Sequence, residues 1–118
     1  MTREETRAYD ERRSQVRHAA EIDVNYRGDD TYLFCRSSNI SELGIFLVVD
    51  EPAAPGTYLA LKFAAAPGAE PIRVTGEVMW AVPPGAGRTP GMGVRFVDPS
   101  AETRERIRSL IRTIAVID

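Results

Sequence analysis

Thr57-Tyr58-Leu59-Ala60-Leu61-Lys62-Phe63 decides the fold. Tyr58, Ala60 and Lys62 fall on one face, and Leu59, Leu61 and Phe63 on the other. That two-residue period predicts a strand with one buried and one wetted side. A sheet of such strands has a single apolar face, which must close on itself or be covered. Downstream, after a loop from Ala64 to Pro71, Ile72 to Val82 reads as a long strand. Gly76 inside it predicts a bulge or a close backbone approach. A Pro/Gly-rich loop, Pro83 to Gly91, leads to a last strand, Met92 to Val97, with Val94 and Phe96 on one face and Arg95 on the other. Upstream, Gly44 to Val49 is a short apolar run, and a loop with Pro52, Pro55 and Gly56 follows it. Ile22, Val24 and Tyr26 alternate with polar residues. The turn Arg27-Gly28-Asp29-Asp30 then joins them to the β-rich Thr31 to Ser37 as a hairpin. Six short strands separated by turns predict a mainly β chain, a six-stranded antiparallel barrel.

The C-terminal part is helical. Asp98-Pro99-Ser100 offers a carboxylate cap followed by proline at the first helical position. Ile107, Leu110, Ile111 and Ile114 then recur at i, i+3, i+4 and i+7, an apolar stripe that needs the barrel as partner.

Composition sets the outer limits. The chain has 118 residues, enough for one domain with a real core. Net charge is −2, from 15 basic and 17 acidic residues, and Lys62 is the only lysine among the basic set. This balance argues against a nucleic-acid coat, which is usually clearly basic. Every long uncharged stretch contains proline and glycine, so none can span a bilayer, and Met1 to Glu5 has no apolar leader core. One cysteine, Cys35, allows no intrachain disulfide, which fits a cytoplasmic setting. One His and one Cys build no zinc site of the usual kinds. They also make a poor catalytic pair, because a mid-strand Cys behaves as a small hydrophobe. No carboxylate cluster and no phosphate loop is present, so the expectation is a protein that is not an enzyme.

Two constellations remain. Residues 1–17 are rich in charge and poor in apolar residues, and they predict a mobile arm ahead of a barrel unit over 18–118. Within the arm stand Arg12, Arg13 and Arg17, the last two spaced i, i+4. A guanidinium offers a donor fork for phosphate and a flat face for a purine, although charge runs of this kind are commonly just solvated. The second is the polar turn Ser37 to Gly44. Asn39 and Ser41 can bond the local backbone or face a ligand, and Gly44 permits a positive φ or a close approach.

Read in order, R-x-x-x-R at Arg13 and Arg17 followed by N-x-S-x-x-G at Asn39, Ser41 and Gly44 resembles the PilZ family. Ser41 to Leu47, Gly76-Glu77-Val78-Met79-Trp80 and Gly91 to Phe96 resemble three further strands of that family. The resemblance implies a six-stranded PilZ-type β-barrel with a C-terminal helix. It also implies a bacterial receptor for cyclic di-GMP, with no other cofactor and no metal. By the family's motif, Arg13 and Arg17 grip phosphates and stack on a guanine, and Asn39 and Ser41 hold a guanine edge and the phosphate region. Gly44 shapes the turn. Arg12 sits where the family sets whether one ligand or an intercalated pair binds. Trp80 either borders the site or fills the core. Asn39 replaces the aspartate of many members and lacks its charge. The implied mechanism is ligand-driven ordering of the arm, which presents a new surface to an unidentified downstream protein. The alternatives are a PilZ adaptor that works by protein contacts without nucleotide, and an oligonucleotide-binding barrel, which net charge and the few aromatics disfavour.

Overall fold

The structure, a computed structural model, describes residues 16–28 and 31–117. A two-residue strand β1 (His18–Ala19) precedes β2 (Asp23–Gly28) and β3 (Thr31–Ile40). Then follow β4 (Gly44–Val48), β5 (Tyr58–Phe63), β6 (Ile72–Val82) and β7 (Gly91–Phe96). A single helix, α1 (Ala101–Ile117), ends the described chain. All pairings are antiparallel, in the order β3-β2-β5-β6-β7-β4, and β4 pairs back onto β3. Six strands thus form a closed barrel with no free edge. β1 adds a short pairing to β3 outside the ring.

The alternation read in Thr57 to Phe63 is present residue by residue, with Leu59, Leu61 and Phe63 buried and the residues between them exposed. They join Val24, Ile40, Ile45, Leu47, Val78, Met92, Val94 and Phe96 in one core. Phe63 and Phe96 stack across it, centroids 6.1 Å apart. The stripe of α1 completes this core, with Ile107, Leu110 and Ile111 buried and Ile114 packed against them. Arg106 anchors the helix by donating to the Pro71 and Glu70 carbonyls at 3.0 and 2.7 Å.

Two local expectations are corrected, and the two readings of Gly76 are decided. The cap of α1 is Ser100, whose Oγ accepts from the Thr103 N–H at 3.1 Å, while Asp98 takes a left-handed conformation at φ 40°. Pro99 therefore precedes the cap, and Asp98 makes the sharp bend that brings the chain onto the helix. β3 runs on to Ile40, so Asn39 is a strand residue and not part of a turn. Pairing with β4 holds it there, through Asn39 opposite Phe46 and Ile40 opposite Ile45. Gly76 carries no bulge, but a Cβ there would overlap Val94 and crowd Leu61, so the close approach is the reason for glycine. Residues 1–15 of the predicted mobile arm, Arg12 and Arg13 among them, lie outside the described residues, and Val16 and Arg17 at its end are described.

Candidate functional site

Two bulges build the outer surface that carries the motif. Ser37 faces inward opposite Leu47, yet Asn39 faces outward opposite Phe46, because Ser38 is an extra residue in β3. Val78 faces inward opposite Val94, yet Trp80 faces outward opposite Gly93, because Met79 is an extra residue in β6. Each bulge reverses the strand's in–out alternation. Without them, simple alternation would carry both Asn39 and Trp80 into the core. With them, Asn39, Phe46, Gly93 and Trp80 form one cross-strand row on the outside. Trp80 is 44% exposed, which settles its choice between core and surface.

The glycines of β7 make room for the aromatic rings. A Cβ on Gly93 would overlap the six-membered ring of Trp80, and one on Gly91 would overlap Phe46 and the Leu47 carbonyl. The indole therefore lies flat across bare backbone, tilted 30° to the Phe46 ring at 6.4 Å. Phe46, Gly91 and Gly93 were not assigned a role from sequence. The available signal was two glycines at alternate positions in a strand, which mark close approach to a backbone.

Arg17 closes the site from above. Its Nη1 donates to Asn39 Oδ1 at 3.0 Å, and its guanidinium carbon lies 5.7 Å from the Trp80 centroid. This is a cation–π arrangement with a flat cation on an aromatic face. Burial pulls the Arg17 pKa below its ordinary value. The cation has thus given up part of its water, and among the described residues it has no carboxylate partner. Asn39 is fixed in turn, since its Nδ2 donates to Ser38 Oγ at 3.1 Å.

Ser41 has a different task. It is 1% exposed, and its Oγ accepts from the Leu43 and Gly44 N–H groups at 3.2 and 3.3 Å. Its own N–H donates to the Gly44 carbonyl at 2.8 Å. The hydroxyl ties the turn that joins β3 to β4. Gly44 has no positive φ but is needed for space, as a Cβ would overlap the Val94 carbonyl. The half-buried Glu42 carboxylate on the same turn meets Arg108 of α1 at 3.3 Å. A groove of about 510 Å³ runs along this surface, walled by Arg17, Ser41, Gly44, Met79, Trp80 and Arg95. Of the residues singled out from sequence, Arg17, Asn39, Ser41, Gly44 and Trp80 are brought together here, and Arg12 and Arg13 lie outside the described residues. Among the described residues no group of His, Cys, Asp and Glu could hold a metal ion, and no helix is long and apolar enough to cross a membrane.

A closed six-stranded antiparallel barrel with a C-terminal helix, carrying an arginine held over an outward tryptophan, defines a small β-barrel domain. The PilZ domain family matches residues 11–113, and the chain belongs to that family. No curated protein sequence matches the chain. Among solved structures, it resembles the Bacillus subtilis inhibitor of motility MotI/DgrA, with a TM-score of 0.70 and 19% identity, over 87% of this chain and 51% of that one. It therefore spans about half the length of that relative. It also resembles the PilZ domain of YcgR from Escherichia coli, solved with c-di-GMP, with a TM-score of 0.66 and 17% identity, over 86% and 90% of the two chains. A third likeness is to the PilZ domain of CeSA from a cellulose-synthesizing bacterium, with a TM-score of 0.57 and 16% identity, over 87% and 98%. At these identities the likeness is one of fold.

Proposed function

We propose that this domain is a bacterial, cytoplasmic receptor for cyclic di-GMP that acts through a protein partner and not by catalysis. The observation that carries the reading is the meeting of Arg17 and Asn39, 22 residues apart in sequence, over the face of Trp80. A partly desolvated guanidinium whose partners among the described residues are an amide oxygen and a ring gains more from a phosphate than a solvated one does. Trp80 and Phe46 supply flat apolar surface beside it for a base. Asn39 offers both a donor and an acceptor to a guanine edge. Arg13, one helical turn before Arg17 in sequence, and Arg12 are assigned to the same dianion. Ser41 and Gly44 act by holding the strand-to-strand turn that forms one wall of the groove. Binding then brings the part of the arm that carries Arg12 and Arg13 onto the barrel beside Arg17 and creates the surface that the partner reads.

The reading is tested by calorimetry with cyclic di-GMP on the wild type, Arg17→Ala and Arg13→Ala. The wild type binds, and each variant loses about 10- to 150-fold, the equivalent of about 1.5–3 kcal/mol for a charged hydrogen bond. A flat wild-type titration replaces this reading with that of a nucleotide-independent adaptor. Unchanged affinity in Arg17→Ala removes Arg17 from the site.

A further inference from the structure

A second cluster occupies the opposite side of the barrel. β5 is three strands from β4 in either direction around the ring. The outward residues of β3, β2, β5 and β6 form two cross-strand rows there. One runs Phe34, Asn25, Lys62, Arg73, and the other begins Tyr32, Arg27. Lys62 and Arg73 stand directly opposite each other, a placement of like charges that weakens a sheet. Three cations thus share one face of a chain whose net charge is −2. Two flanking carboxylates among the described residues are already engaged, Asp23 with Arg36 at 3.1 Å and Glu77 with Arg95 at 2.8 Å. Among the described residues no carboxylate pairs with Arg27, Lys62 or Arg73. Arg27, Lys62 and Arg73 line a concavity of about 680 Å³ together with Asn25 and Tyr32. Tyr32 and Phe34 are left 74% and 64% exposed.

We propose that this face docks an extended acidic segment of a partner protein. Lys62 and Arg73 face each other on neighbouring strands, about 5 Å apart at the backbone, and Arg27 stands diagonally from Lys62, one strand over and two residues along, about 7–8 Å away. Alternate carboxylates of an extended chain, about 6.8 Å apart, reach the Arg27–Lys62 diagonal together. Its intervening apolar side chains find Tyr32 and Phe34. A nucleic-acid strand fits less well. The Tyr32 ring is covered on one side by Arg27, whose guanidinium carbon lies 5.4 Å from its centroid and whose Nη1 donates to its hydroxyl at 3.1 Å. The surface is separate from the Arg17 groove, so it stands whether or not cyclic di-GMP binds.

The test is fluorescence anisotropy with a fluorescein-labelled peptide, Asp-Phe-Asp-Leu-Glu-Phe-Glu-Leu, and its Asn/Gln counterpart. The acidic peptide binds and the amide peptide does not. Lys62→Glu and Arg73→Glu each weaken binding by about tenfold or more. Lys62→Glu also turns a like-charge pair into an opposite-charge pair, so its thermal midpoint rises by roughly 2–5 °C. That rise shows that the loss of binding is not a loss of fold. Absence of acidic-peptide binding, or wild-type affinity in both variants, overturns the proposal. Binding of a labelled oligothymidylate or of phosphatidylglycerol vesicles in place of the peptide, sensitive to Lys62→Glu, overturns it as well.

Discussion

Gly93→Ala changes one hydrogen to a methyl, yet it strikes the centre of the site. The methyl would overlap the Trp80 six-membered ring. Carbon atoms pack at about 3.5–4.0 Å, so the indole must lift off the strand. It then loses its contact with Phe46, about 0.5–1.5 kcal/mol for an aromatic pair, and its place under Arg17, about 0.5–1 kcal/mol at an exposed site. Together these predict a destabilisation of about 1–2 kcal/mol, a fall in thermal midpoint of roughly 4–10 °C. Trp80 is the only tryptophan, so intrinsic fluorescence reads the ring directly, and its emission shifts to the red as it enters water. The decisive arm is a double-mutant cycle. In a Trp80→Ala background nothing occupies the space above Gly93, so the same Gly93→Ala change becomes neutral or stabilising, by up to about 1 kcal/mol, because glycine is the costlier strand residue. An additive cycle, or an unmoved emission maximum in Gly93→Ala, would refute the account of the ring's seat.

Other expectations follow from the same contacts. Ser37 is 2% exposed, accepts from the Ile22 N–H at 3.0 Å and donates to the Ala20 carbonyl at 2.5 Å, so Ser37→Ala costs about 1–3 kcal/mol by urea denaturation. A loss under about 0.5 kcal/mol rules out this clamp on the segment that follows Arg17. Asn39→Asp gives Arg17 a charged partner at an exposed position and raises stability by about 0.2–1 kcal/mol at low salt, a gain that must shrink as salt is added. Burial pushes the Cys35 thiol from 9.0 up to about 12, and burial also raises the Tyr26 phenol. Both groups are neutral when protonated, so their contribution is intact below the unfolded values and is lost as pH rises from about 9 towards 12. Denaturation midpoints therefore fall across that window, more gently in Cys35→Ala, and an unchanged slope in that variant contradicts the assignment.

How much of this was legible in the sequence differs by element. Ile72 to Val82 could be read as a strand from its length and β-rich composition, and the alternation of Leu59, Leu61 and Phe63 could be read directly, because packing on a barrel core imposes a strict period there. The stripe of α1 was equally plain. What composition hid was position along β3 and β6. Ser38 and Met79 are ordinary strand residues, and nothing in their chemistry declares that each is one residue too many for its partner strand. Asn39 therefore looked like part of a turn, and Trp80 remained undecided between core and surface. The cap at Ser100 was missed for a simpler reason, that Asp98 and Ser100 are both good caps and only the observed bend at Asp98 chooses between them. The contact of Arg17 with Asn39 and Trp80 joins three separate segments, and spacing within any one of them says nothing about it.

The two extra residues have a consequence for how such a domain can change. On either side of each one, the strand keeps its inward residues in phase with the core: Val78 and Ala81 in β6 stand opposite Val94 and Met92, and Ser37 and Ile40 in β3 opposite Leu47 and Ile45. Between them lies a half-step that the core does not need. Removing Met79 or Ser38 would leave every residue proposed to touch ligand in the chain. It would nevertheless turn either the tryptophan or the asparagine to the wrong side of the wall, or else slide the rest of the strand out of step. In this barrel the counting of residues, as much as their chemistry, decides whether a binding surface exists.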